Sequence, residues 1–177
     1  VFFDARLCFL ENLMNIIIEY KGHSTVEGFS DNRVIKQSKK NRDKIVELQD
    51  EMMRMKQTLD LFPLIHHFAP GVYAREMSLP AGHTIIGKIH KHAHLNIVSK
   101  GVVVVSTEEG SKELKAPCVF TSYAGTKRAV FIKEDAVWIT IHITEKTDLR
   151  EIENELIAKD FNDFAGEQEV KKVGNNL

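Results

Sequence analysis

The chain has 177 residues, 43% of them hydrophobic and 28% charged, with a formal net charge of -1 at pH 7. That length suits one domain with a single hydrophobic core plus an appendage, and the composition is that of an ordinary globular protein. Charge so close to balance excludes a global attraction to nucleic acid or to a membrane surface, so any electrostatic function must come from locally gathered groups. The two cysteines, Cys8 and Cys118, stand far apart in apolar contexts. They make no disulfide framework and read as buried thiols in a reducing compartment, the cytoplasm.

The first stretch, "VFFDARLCFLENLMNIIIEY", is apolar enough to raise the question of a signal peptide or a membrane span. Asp4, Arg6, Glu11 and Glu19 interrupt it, and it has neither a basic leading region nor a small-residue cleavage site. It predicts a packed amphipathic helix from about Asp4 to Tyr20. A first residue of Val points to a fragment or to a translated alternative start codon. A polar, glycine-containing loop follows and ends in the capping residues Ser30, Asp31 and Asn32.

From Arg33 to about Leu61 neither Pro nor Gly occurs, which predicts a second helix. Ile45, Leu48, Met52, Met55 and Leu59 form a heptad seam there, about two heptads long. Such a seam either lies across the domain's own sheet or pairs with a second copy of the chain. The basic run Lys36–Lys44 reads as a solvated helix face rather than a nucleic-acid arm. Residues 1–61 are thus expected to form a helical arm of two helices.

Beyond Pro70 the pattern changes to short β-rich segments: "VYAREMS", "TIIGKIH", "LNIVS", "VVVVST", "KELKA", "CVFTS", "RAVFIK" and "VWITIHI". Turn chemistry separates them, so residues 62–145 predict a small antiparallel barrel or sandwich of jelly-roll kind. Residues 146–177 hold a C-terminal helix, with Thr147 or Asp148 as its cap, and a polar tail.

The segment "KIHKHAHLNIVSKG" carries His90, His92 and His94 on alternate positions. With the strand pattern around it, this region resembles the cupin superfamily, whose first motif spaces two histidines, a glutamate and a closing glycine, and whose second is a Pro-x-Gly turn followed by a histidine. The blocks "HHFAPGVYAREMSLPAG", "HLNIVSKG", "GTKR" and "EDAVWITIH" further resemble small cupin-like proteins encoded by tailed bacteriophages, a group without a settled biochemical role. Anchored on Gly101, the resemblance places His94 in the glutamate slot, His90 in the second-histidine slot and Lys88 in the first-histidine slot. His92 falls between slots, "YAG" replaces the Pro-x-Gly turn, and Arg128 takes the place of the last histidine.

Two chemistries follow from that alignment. A divalent metal (Zn, Fe, Ni or Mn) can be held by His90 and His94 with His142 recruited from the last long strand. Lys88 and Arg128 oppose this, because fixed positive charges beside a divalent cation are unfavourable in a low-dielectric site. The same cations make a pocket for a small anion such as a nucleotide, with Tyr73, Trp138 and Phe131 offering flat faces. Glu76 is the one carboxylate suited to acid–base work, and since its neighbour Arg75 has opposite strand parity, only one of them can face inward. His66 and His67 read as packing at the barrel edge, and His23 and His83 as solvated loop residues.

No nucleophile elbow, phosphate-binding glycine loop or Cys-x-x-Cys pair is present, so no catalytic residue is assigned. Three functions stay open: a metal-binding cupin, an accessory or anti-defence protein sequestering a small anion, and a virion or assembly protein using the barrel as scaffold. Homo-oligomerisation through the helical arm and barrel is expected, nucleic acid and membrane are not, and the location implied is the host cytoplasm or the virion.

Overall fold

The computed structural model describes residues 4–6, 39–55, 62–107 and 110–164. The strands are β1 (Asp4–Arg6), β2 (Leu64–Ala69), β3 (Val72–Leu79), β4 (His83–Ile86), β5 (Ile89–His90), β6 (His94–Thr107), β7 (Gly110–Lys115), β8 (Cys118–Ser122), β9 (Ala129–Ile143) and β10 (Ile157–Ala158). Helix α1 spans Lys39–Met53 and α2 spans Leu149–Leu156. The fold is mainly β, an antiparallel jelly-roll barrel with a helix ahead of it and a short one behind.

β9 organises the barrel, pairing with β3, β4 and β6 along its length. β6 in turn carries β7 and β8, β3 carries β2, and β10 pairs with β5. Two segments that read as separate strands fuse in β6, and two more in β9. Gly101 makes the β6 fusion workable: its φ is +82°, and a Cβ there would sit 2.7 Å from the Ala136 Cα and collide with the Asp135 carbonyl. The β6–β9 register shifts around this point, so the strand bends without ending.

The barrel interior is apolar toward one end, where Val98, Val103, Val105, Ile132 and Leu79 are almost fully buried. Toward the other end the inward residues of β9 are Trp138, Thr140 and His142, all buried, while Ile143 points outward at 87% exposure. The polar-aromatic parity of "VWITIHI" is therefore the interior one.

Several expectations are corrected. Asp4–Arg6, expected to open a helix, forms a strand paired with Arg6↔His83 to Asp4↔Ile85 on β4; residues 7–38 lie outside the described part, as do Cys8 and the capping residues. The second helix is observed over Lys39–Met53, and residues 56–61 with Leu59 are outside the described part. Its seam residues Ile45, Leu48 and Met52 pack on Ile86 and Ala129 of the same chain. "LIHHFA", which precedes the β-rich segments named above, is strand β2. The C-terminal helix is capped by Asp148, whose carboxylate accepts from the Arg150 and Glu151 amides, and it stops at Leu156 rather than running on, because Ile157–Ala158 pair with β5. Cys118 is a free thiol only half-buried against the core. Among the described residues no helix is long and apolar enough to cross a membrane.

Candidate metal and ligand site inside the barrel

Three short-range constraints bring the histidines together. β5 is pinned on one side by β10 and on the other by a Gly125 N–H donating to the His90 carbonyl at 2.8 Å, which turns the His90 ring inward. His94 opens β6 opposite Ser122 of β8. His142 sits near the end of β9 opposite Tyr73 of β3. The ring centroids lie 4.0 Å apart for His90 and His94, 4.7 Å for His94 and His142, and 5.0 Å for His90 and His142. One nitrogen from each ring falls within 4.8 Å of the others, and all three residues are buried.

Burial keeps these imidazoles neutral. Desolvation lowers His94 to about 4, aided by the Arg128 and Arg75 charges and resisted by a hydrogen bond to the His92 carbonyl. It lowers His142 to about 3, with His94 and Arg75 adding to the effect. His90 goes well below the ordinary value for the same reason, followed by its two histidine neighbours, Arg75 and Lys88. The His92 carbonyl can only accept, so at 3.4 Å His94 Nδ1 carries the proton and its Nε2 keeps the lone pair. His90 Nδ1 is buried with no hydrogen-bond partner. A buried ring nitrogen without a partner is unfavourable by roughly 1–3 kcal/mol and is the atom a bound group would satisfy. His92 itself is exposed and outside the cluster.

The cations arrange themselves differently from the alignment. Lys88 is ion-paired with Glu153 of α2, a partner far along the chain, so its charge is partly offset, although it still adds to the lowering of His90. Arg128 Nη1 donates to Ser122 Oγ at 2.6 Å and its guanidinium lies 5.8 Å from the Phe120 ring. The neighbouring Lys127 turns elsewhere: Nζ donates to the Gly87 carbonyl at 3.1 Å, and burial lowers it to about 8. Of the Arg75–Glu76 pair, Arg75 is the inward member and lines the cavities on both sides of His90. Glu76 faces the other way and hydrogen-bonds His67 at 3.0 Å, so it does not line the site.

Tyr73 is buried beside the histidines: its ring centroid is 6.3 Å from that of His142, and its hydroxyl is 2.8 Å from His66 Nδ1. Trp138 Nε1 donates to Asn96 Oδ1 at 3.0 Å, and Asn96 Nδ2 donates to Ser122 Oγ at 2.9 Å. That chain ends on the same hydroxyl Arg128 holds, a buried polar network running through the barrel floor. Phe131 lies on the outer wall against α1. Sequence reasoning did not single out Asn96, Ser122 or Thr140. Asn96 and Thr140 carry a parity signal, being in phase with His94 on β6 and His142 on β9, while Ser122 joins them only by pairing with His94 across strands.

Two cavities meet at this point. A small one of about 60 Å³ lies within the barrel among His90, His94, Asn96, Ser122, Arg128 and Trp138. A larger one of about 390 Å³ lies between His90 and His142 and helix α2, with Phe62, Leu64, Tyr73, Met77, Leu149, Ile152, Leu156 and Ile157 on its walls. Arg75, Met77, Lys88 and His90 belong to both.

No family model and no curated protein matches the chain. Solved structures do. A cupin-2 domain protein from Shewanella frigidimarina aligns at TM-score 0.41 and 11% identity, over 55% of this chain and 92% of that one. The ectoine synthase of P. lautus aligns at TM-score 0.45 and 8% identity over 53% and 71%, and the Clostridium difficile EutQ protein at 0.41 and 11% over 49% and 70%.

Proposed function

We propose that the chain is a metal-binding cupin whose His90, His94 and His142 hold one divalent transition metal and leave part of its coordination open to a small ligand. The observation carrying this is the convergence of three buried, neutral imidazoles with nitrogens within 4.8 Å, one of them the residue with a partnerless Nδ1. Neutral imidazole is the form that binds Zn, Fe or Ni, and three such donors are a recurring catalytic set. A bound ion would supply Lewis acidity and an open position for an oxygen donor. The chain's own groups would orient what binds there: the His92 carbonyl fixes the His94 tautomer, Tyr73 flanks His142, and Lys88 is held off by Glu153.

With no carboxylate among the donors, the ion would keep its full positive charge and favour an anionic ligand. Metal analysis of protein purified without chelator is the test, with about one ion per chain expected. A His90→Ala, His94→Ala double variant should lose it almost completely. No stoichiometric metal in wild type, after growth with Zn, Fe, Ni or Mn supplements, would remove this reading.

Direct capture of a small anion such as a nucleotide, as by an accessory protein without turnover, is the second reading. It is favoured by Arg75 and Arg128 facing the same inner cavity as His94. Nucleotides or sugar phosphates should then raise the melting temperature, and Arg128→Ala should abolish the rise; an unchanged rise would count against it.

A further inference from the structure

β9 carries apolar residues on its outward side in both halves, and the two halves are covered differently. In the first half, Ala129 and Phe131 lie against α1. In the second, Ile139 and Ile141 are only half-buried and Ile143 is 87% exposed. The register extends this second outward face across five strands, because residues paired across neighbouring strands point to the same side. One row runs from Val119 on β8 through Ile97, Ile139 and Glu76 to Ile65 on β2. The next runs from Thr121 through Leu95, Ile141 and Ala74 to His67. Ile143, Val72 and Ala69 make a third. Val119, Leu95, Val72 and Ile65 are exposed like Ile143.

These rows hold two titratable side chains, Glu76 and His67, and the two bond each other at 3.0 Å. The face is therefore apolar and balances its own charge. With about 4.8 Å between strands and about 6.8 Å between rows, it spans about 24 by 20 Å. That projects to roughly 500 Å², and side-chain relief brings it to the roughly 600 Å² per partner of the smaller stable interfaces. A contiguous apolar patch of this size marks an interaction surface.

We propose that this five-stranded face is the interface of a homodimer, two copies packing sheet on sheet about a two-fold axis near Ile141. A strongly charged partner would meet no net charge here. A second copy offers the same apolar, internally neutral surface, so no like charges are forced together. Two twisted sheets pack face to face with their strands nearly aligned, which brings the outward isoleucines of the two β9 strands into one shared layer. His142 and Arg75 hold the opposite parity on β9 and β3, so this interface stands independently of the metal reading.

The experiment is sedimentation of the full chain across concentration, for wild type and for a Leu95→Glu, Ile143→Glu double variant, with folding checked by circular dichroism. Wild type is expected to be dimeric at about 10 μM, and the double variant monomeric, its self-association weakened at least roughly a hundredfold. Met53→Glu, on an exposed position of α1, should leave the dimer unchanged. Should the double variant fail to fold, Ile143→Glu alone carries the test from its highly exposed position, with a weakening of about tenfold expected.

A wild type that stays monomeric at about 100 μM, where even a weak dimer would form, would overturn the proposal. So would a dimer that the sheet variants leave intact, and one that Met53→Glu dissociates instead would assign the interface to α1. Wild type that stays monomeric and floats with phosphatidylcholine vesicles, losing this in Ile143→Glu, would assign the face to lipid and overturn the dimer.

Discussion

Helices α1 and α2 both lie on the barrel, and they do opposite things there. α1 presses Ile45, Leu48 and Met52 onto Ile86 and Ala129, with Met55 and Phe131 filling in, so this contact is built from apolar side chains. α2 presses only Ile152 and Leu156 toward Tyr73, and bridges the rest of its span over a chamber of about 390 Å³. It is tied down by polar links instead, Glu153 to Lys88 and Thr144 Oγ1 to Glu155 at 2.6 Å. A helix used as a wall is stabilised by packing; a helix used as a roof gives up packing and is held at its edges.

Acid should separate the two ends most strongly. The unfolded imidazole titrates near ~6.5, while folded His94 and His142 are lowered to about 4 and about 3. Between those values the unfolded chain binds protons that the folded chain refuses. Stability is therefore fully present above pH ~6.5 and is lost as pH falls toward 4, by several kcal/mol on the order-of-magnitude scale of such shifts. Chelator-treated protein unfolded by denaturant at pH 7, 5.5 and 4.5 checks this. A flat profile would break the link between the α2 end and acid sensitivity, and a His94→Gln, His142→Gln variant should flatten it by design.

Met52→Ala comes next, since Met52 is 1% exposed in the filled interface. A loss of about 3 kcal/mol is expected, with metal content unchanged. Ile152→Ala removes a residue that already borders a void, so its loss should fall near the low end for such truncations, about 2 kcal/mol. If Ile152→Ala proves the costlier of the two, the distinction between wall and roof fails. The smallest effect belongs to Glu153→Gln, where a half-exposed ion pair with Lys88 should contribute less than about 1 kcal/mol to thermal stability.

The barrel and its helices were largely legible because hydrophobic period and turn chemistry are local properties. What misled was non-local. β9 inverts the usual pattern, with Ile139, Ile141 and Ile143 outward and Thr140 and His142 inward, so alternation alone could not say which face was the interior. The bend at Gly101 looked like a turn between two strands because only the approach of Asp135 and Ala136, from a distant part of the chain, reveals it as a bulge. Lys88 reads from sequence as an obstacle to a metal, since nothing near it in sequence hints that Glu153 would pair with it. Arg75 was visible only as one member of a parity choice with Glu76, and that choice needed the cavities to resolve.

Trp138 is the chain's one tryptophan, and it stands in the barrel floor with its indole N–H committed to Asn96. It borders the inner cavity together with His90 and His94. The chain's single indole thus stands within the site. Excited at the indole band, the untreated protein carries its own optical gauge of occupancy: a quenching metal arriving at the histidines, or a ligand pulling on the Asn96–Ser122–Arg128 chain, changes the emission of that single ring.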